Sequence, residues 1–322
     1  MRVLSDDDVA SLLDLPDLLP EIERAFLKQG RGEVERPERP HFPVGTGLEG
    51  DEPLGTGLTM PAYVHGDEHY ATKLASVHEG NADRGRPTVQ AQIAVTDART
   101  GVPAGLLAGT RITNARTGCI GGLAAKHLAV GDGPVRVGVV GAGTQARWQT
   151  RAIAAARGVE SARVYSPSDS REACAADLRA EGIDAEAVDS ARAAVSDADV
   201  VVTATTATEP VFPGDALAPG TLVVAVGAYT AEMRELDAAT VSRAARLVAD
   251  VPAEVAETGD FPDHGASAFT PLSAVFEGTA GRESDAEILV VASVGSAVLD
   301  ATAATALFER AIAENVGTDV AL

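Results

Sequence analysis

Lysine is almost missing from this 322-residue chain: it occurs only at positions 28, 73 and 126, and the other basic residues are arginines. Lys and Arg together number 26 against 47 Asp and Glu, a formal net charge of −21. That balance leaves no basic stripe of the kind nucleic-acid binding needs. An acidic, lysine-poor surface suits molar salt, where counter-ions screen self-repulsion and short carboxylates hold water. A halophilic setting is the expectation; a host favouring Asp, Glu and Arg codons is the other source of such a composition. Cysteine is equally scarce. Cys119 and Cys174 stand far apart without metal-ligand spacing, so no metal is expected and both read as free thiols in a reducing, cytoplasmic compartment. No apolar run approaches the roughly 20 residues of a membrane span. The opening MRVLSDDDVASLLDLPDLLPEIERAF is acidic and helical in period, unlike a secretory signal.

What is present is a globular composition, 45% hydrophobic, long enough for two domains with cores of their own. The most telling segment is VGVVGAGTQARWQ at 137–149. Residues 135–140 read as a buried parallel strand and 144–156 as a helix. Between them lies Gly141-Ala142-Gly143-Thr144-Gln145-Ala146, a G-x-G-x-x-A turn. The first glycine makes the turn, the second lets the backbone approach a pyrophosphate, and Ala146 still permits close helix–strand packing. The helix start, at Thr144 and Gln145, offers unpaired N–H groups and a partial positive charge. Strand, turn and helix together predict a dinucleotide site.

The fingerprint lies near the middle of the chain, so another domain precedes it. The spacing predicts a helix over 5–29, loop over 30–57, and strands at 58–63, 69–78, 88–97 and 102–108. The last two are joined by the turn sequence Asp97-Ala98-Arg99-Thr100-Gly101, an antiparallel hairpin. A helix over 113–129 follows. From residue 135 the pattern becomes βα repeats, with strands at 135–140, 161–166, 199–204, 221–226, 246–250 and 288–293, hence a parallel sheet covered on both faces. The last helix, 296–315, is alanine-rich and would return to the first domain. The fold class expected is α/β: a doubly wound Rossmann domain, residues 129–295, plus an α+β substrate and dimerisation domain, residues 1–128 with 296–322.

Cofactor choice turns on the end of the second Rossmann strand, where an acid commonly holds the ribose hydroxyls of NAD. Here ARVYS ends in Ser166-Pro167-Ser168, with Arg171 following and only Asp169 as a nearby acid. Small hydroxyls and an arginine accommodate a 2′-phosphate, so NADP(H) is expected ahead of NAD(H). Arg147 either adds charge near the pyrophosphate or is a solvated helix residue.

Most of the chain resembles the ornithine cyclodeaminase/mu-crystallin family, which also contains archaeal-type alanine dehydrogenases and cyclic ketimine reductases. The matching pieces are MPAY at 60–63, TKL at 72–74, NADRGRPTV at 81–89, TGVP at 100–103, ARTG at 115–118, GAGTQA at 141–146, ATEPV at 207–211, REL at 234–236 and VGSAVLD at 294–300. The resemblance implies a homodimer built through the first domain, a Rossmann second domain, and hydride transfer at an α-carbon bearing nitrogen. It implies that Lys73 lies beside the substrate, where its ammonium can hydrogen-bond a carbonyl or carboxylate or relay a proton; an exposed strand lysine is the alternative. It makes Arg116 the clamp for a substrate carboxylate, or for cofactor phosphate, against a surface ion pair. Thr88 becomes a partner for the nicotinamide amide, against a plain strand threonine, and Gly295 a further cofactor contact. His78 and Glu79 either supply a proton or are loop residues.

Two departures matter. Ornithine cyclodeaminases and alanine dehydrogenases of this family carry an aspartate where this chain has Tyr229, and many members carry an arginine where it has Leu58. Deamination and cyclisation need a base; a tyrosine with pKa near about 10 serves poorly. Reducing a preformed cyclic imine asks less, because the iminium is already protonated. The expectation is an NAD(P)H-dependent oxidoreductase acting on the C–N bond of a small α-imino or α-keto acid, a cyclic ketimine reductase in type, with Lys73, Arg116 and Tyr229 at the reacting centre. An alanine dehydrogenase, an ornithine cyclodeaminase and a non-catalytic NADPH-binding protein are the successive alternatives.

Overall fold

The computed structural model describes residues 1–321. The chain opens on β1 (Arg2–Leu4), which periodicity does not reveal, and then forms two helices where one was expected, α1 (Asp6–Leu12) and α2 (Leu15–Gly30). Ser5 caps α1 through a capping box with Asp8. The break falls at Leu13, in extended backbone, because Asp14 caps α2 by accepting from Asp17 N and Pro16 lies in its first turn. Residues 30–57, expected as loop, contain β2 (Val34–Glu35) and β3 (His41–Val44). These are short strands added at the edge of a sheet, with too few residues for a period to register. β4 (Gly55–Val64), β5 (His69–Val77), β6 (Val89–Asp97) and β7 (Pro103–Ala108) follow, then α3 (Gly109–Leu128). The β6–β7 hairpin is antiparallel as expected. Its turn is held by Asp97 Oδ1, which accepts from Arg99 N, Thr100 N and Thr100 Oγ1.

The βα repeats begin at β8 (Val135–Val140) and α4 (Thr144–Arg157), and continue through β9 (Val159–Tyr165), α5 (Ser170–Ala180), β10 (Ala185–Ala187), α6 (Ala191–Val195), β11 (Val200–Thr203), β12 (Leu222–Ala225), α7 (Ala238–Arg243), β13 (Ala244–Ala249), α8 (Pro252–Val255), β14 (Phe269–Pro271), α9 (Leu272–Phe276) and β15 (Ile288–Ala292). The sheet order is β10-β9-β8-β11-β12-β15-β13-β14, parallel throughout. This is a doubly wound Rossmann sheet. The order reverses between β8 and β11, and ligands of such sheets bind outside the carboxyl ends of the strands at that switch point. The strands β11, β12 and β15 are buried at every residue, which explains their unbroken apolar runs.

The chain closes with α10 (Ala297–Glu314) and β16 (Thr318–Asp319). Met1–Arg116 and Ala297–Leu322 make one compact unit, Thr117–Ser296 the other, and the division falls inside α3. The first unit's sheet runs β16-β1-β7-β6-β5-β4-β2, with β3 also paired to β4. Helix α10 covers β4 and β5 and packs on α2. Its alanines let it lie close, and a Cβ at Gly105 of β7 would come within 2.8 Å of the Phe308 ring. In the second unit, glycines bring α3 against α4: Cβ atoms at Gly118 and Gly121 would meet Trp148 O at 2.6 Å and Gln149 Oε1 at 2.1 Å.

Candidate active site

Strand alternation sets the first unit's part. In β5, Ala71 and Lys73 point to the buried face while Tyr70 and Leu74 are exposed on the other. Lys73 is 3% exposed, Arg116 of α3 5%, and Asp300, in the first turn of α10, 1%. All three meet. Lys73 Nζ donates to Asp300 Oδ2 at 2.7 Å, and Arg116 Nε donates to Asp300 Oδ1 at 2.9 Å. One carboxylate therefore holds both cations, each by its own oxygen. Arg116's Nη atoms make no hydrogen bond among the described residues, so two parallel donors remain for a carboxylate.

The electrostatics follow from burial. Removal from water pushes Lys73 down to about 8; the Arg116 and Arg39 charges push the same way, and Asp300 opposes them. Burial alone would raise Asp300, but Arg116 and Lys73 hold its carboxyl below the usual carboxylate range. Asp300 thus stays ionised while Lys73 can gain or lose a proton near neutrality. Sequence reasoning missed Asp300. It is the lone charged residue in the first three turns of an alanine-rich helix, AVLDATAATALF, and closes the VGSAVLD motif, which singles it out without showing which cations it meets.

Thr88, half-buried just before β6, accepts from His78 N through its carbonyl, and no hydrogen bond joins it to Asp300 among the described residues. His78 Nδ1 lies 3.1 Å from Leu54 O, and Leu58 lies in β4 opposite Ala75.

The second unit holds the glycine fingerprint. Gly141 has φ +110°, a conformation open to glycine, and a Cβ there would sit 2.5 Å from Ala204 O in the loop after β11. Gly143 is the N-cap of α4 with no side-chain cap, and nothing lies within 4 Å of where its Cβ would be. The first turn of α4, at Thr144 and Gln145, therefore opens onto free space, which a pyrophosphate fits. Arg147 turns back on the loop, donating to Ala142 O at 2.6 Å and pairing with Asp177, so it braces the turn.

At the end of β9, Ser166, Ser168 and Ser170 form a hydroxyl cluster, with Ser168 Oγ and Ser170 Oγ 2.7 Å apart. Arg171 Nη1 donates to Ser166 O at 3.0 Å, while its buried Nε has no partner. Asp169 is exposed and makes no side-chain cap. Tyr229, in the loop after β12, is 51% exposed. Gly295, φ +81°, gives its N–H to Asp250 Oδ2 at 2.8 Å; Asp250 also accepts from Ser293 Oγ, and burial raises its pKa. Asp250, Glu235 and Asp260, three buried acids that fasten loops in this unit, also escaped the sequence reading.

The sequence model of the ornithine cyclodeaminase/mu-crystallin family matches residues 1–315. A Delta(1)-pyrroline-2-carboxylate reductase of Bacillus cereus is 31% identical over 328 residues, covering 98% of each chain. The solved structure of Thermococcus litoralis Delta(1)-pyrroline-2-carboxylate reductase in complex with NADH and L-proline is similar with a TM-score of 0.92 at 34% identity, covering 99% of this chain and 100% of that one. An archaeal alanine dehydrogenase dimer with bound NAD is similar with a TM-score of 0.90 at 27% identity, covering 100% and 99%.

Proposed function

Since the chain belongs to the ornithine cyclodeaminase/mu-crystallin family and is an NAD(P)-dependent oxidoreductase of it, we propose that it reduces a small cyclic α-imino acid of the pyrroline- or piperideine-2-carboxylate class. The observation that carries this reading is the Lys73–Asp300–Arg116 group, one buried carboxylate orienting two cations. Arg116 presents two Nη donors to the substrate carboxylate. Lys73 holds a proton at Nζ near neutral pH and polarises the reacting group or supplies the proton the product amine takes up. When bound, the nicotinamide supplies the hydride that goes to the imine carbon. Asp300 is a positioning residue: with both oxygens occupied, it fixes where each cation points.

The named activities of the similar proteins support the imino-acid substrate. Tyr229 supports reduction over deamination, since a phenol is a poor base for activating water. In this reading residues 1–128 with 296–322 are the substrate and dimerisation part, Thr88 being a hydrogen-bond partner for the nicotinamide amide, and residues 129–295 carry the dinucleotide at Gly141, Gly143, Thr144, Gln145 and Gly295. Exposed Phe42, Tyr70 and Leu74 on the first unit supply the apolar surface a homodimer needs. Ser166, Ser168 and Arg171 favour NADP(H) over NAD(H), the unpartnered Arg171 Nε being the group a 2′-phosphate satisfies. A halophilic host compartment accounts for the charge of −21.

The test is NADPH and NADH oxidation in molar KCl against pyrroline-2-carboxylate, piperideine-2-carboxylate, and pyruvate with ammonia. Turnover of the cyclic imines is expected. Turnover of pyruvate and ammonia alone makes the protein an amino-acid dehydrogenase, and silence across the panel overturns the reading.

A further inference from the structure

Glu235 is fully buried in the second unit, and its partners are neutral donors. Oε1 accepts from Thr205 N at 2.7 Å and Thr205 Oγ1 at 2.8 Å; Oε2 accepts from Thr203 Oγ1 and Gly227 N, both at 2.8 Å. Thr203 ends β11, Thr205 begins the loop after it, and Gly227 lies in the loop after β12. The carboxylate thus ties together the carboxyl ends of two neighbouring strands beside the switch point. The approach is tight: a Cβ at Gly227 would lie 2.5 Å from Glu235 Oε1. Glu235 is itself anchored from below, since its N–H and that of Leu236 both donate to Asp260 Oδ1, at 2.6 and 2.8 Å. The tie reaches the glycine fingerprint, because the residues that crowd Gly141 are Ala204 and Thr205.

We propose that Glu235 is a positioning residue for the dinucleotide: acting through Thr205 and Gly227, it sets the loops after β11 and β12 in the conformation that receives the cofactor, and it does so only as a carboxylate. This rests on the dinucleotide reading of the second unit. The requirement for charge comes from donor counting. An ionised carboxylate accepts from all four groups. A protonated one must donate from one oxygen, and neither Thr205 N nor Gly227 N can accept, so a threonine hydroxyl must reverse, and the contacts that remain are neutral hydrogen bonds, weaker than those to a carboxylate. Burial supports a titration in the working range, raising Glu235 to about 7; the charged group facing it, Asp260, pushes the same way and is itself raised by burial, with Arg234 beside it. The tie is complete above that pH and loosens as pH falls through it.

The experiment is NADH titration by nucleotide fluorescence from pH 6 to 8.5, for the whole chain, Glu235→Gln and Thr205→Val, with circular dichroism to confirm folding. NADH avoids the titrating 2′-phosphate. The wild type should bind several-fold more weakly at pH 6 than at pH 8. Glu235→Gln should bind about tenfold more weakly at pH 8, with no pH dependence, as expected for lost hydrogen bonds to a charged group. Thr205→Val should fall between, with the pH dependence kept. Wild-type affinity and pH response in a folded Glu235→Gln, even one that melts lower, overturn the proposal and leave Glu235 a brace. If Glu235→Gln does not fold, Thr205→Val decides, and unchanged affinity there overturns it. If the wild type binds NADPH but no NADH, the same comparison of variants is read with NADPH at pH 8; a wild type that binds neither nucleotide at any pH overturns the dinucleotide reading, and this inference with it.

Discussion

Asp300 connects two side chains that are 43 positions apart in sequence, Lys73 and Arg116, and it is the residue whose loss should be most informative. Asparagine keeps its shape and removes its charge, leaving two buried cations side by side. That should cost about 3–5 kcal/mol of stability, the usual effect of uncovering a buried charge. It should also move a pH profile. Lys73 carries its proton below about pH 8 and loses it above, so activity that needs the proton falls on the alkaline side. Asp300 is the attraction that keeps the proton on; without it, burial and Arg116 act unopposed and the alkaline limb of kcat/KM moves to lower pH. An Asp300→Asn enzyme that folds and keeps its alkaline limb in place would show that Lys73 is not the titrating group. Arg171→Ala tests cofactor choice in the same way. NADPH affinity should drop by about tenfold or more while NADH affinity stays, measured by titration with each nucleotide.

Among the elements, the β8–α4 turn is the one whose chemistry depends on absence of a side chain. Gly141 cannot be replaced without moving the loop after β11, whereas Gly143 faces open space. Gly143→Asp should therefore fold and melt like the wild type but fail to bind NADH or NADPH, because its carboxylate occupies the N-terminus of α4 where phosphate belongs. Retained affinity would falsify the fingerprint reading. Element boundaries were legible wherever a period ran long enough. Six of the eight parallel strands, α10 and the β6–β7 hairpin were readable from pattern, while β10 and β14, three residues each, were not. The opening helix was not read as two, because its apolar period continues across a break that Asp14 and Pro16 impose locally. Strands of two to four residues, such as β1, β2 and β3, carry too few positions for any alternation to show.

At the scale of the molecule, two properties follow from surface composition. With a charge of −21, self-repulsion should destabilise the fold in dilute buffer and salt should relieve it. Melting temperature should rise steadily from dilute buffer to molar KCl; a flat salt series would return the composition to codon preference. The exposed face of β5 gives the second property. If the proposed homodimer is built through this face, Leu74→Asp should give monomers in sedimentation velocity, since Leu74 is 45% exposed opposite the buried Lys73 face. Among the described residues, no helix is long and apolar enough to cross a membrane.

The doubly wound sheet, the glycine turn and the hydroxyls after β9 were determined locally, by periods of 2 and 3.6 and by residue types with one dominant use, whereas Lys73 and Arg116 were singled out by the family resemblance. The first three need only neighbours in the chain to be recognised. Asp300, Glu235, Asp250 and Asp260 were decided by tertiary structure alone. A carboxylate in a sequence is ordinarily a solvated one, and only the fold shows that these four are buried and which donors surround each. Asp300 acquires its role from cations in β5 and α3, 227 and 184 residues away, and Glu235 from strand ends 32 and 8 residues away. No periodicity encodes those distances, because they are set by how helices and strands stack rather than by how any one of them is formed.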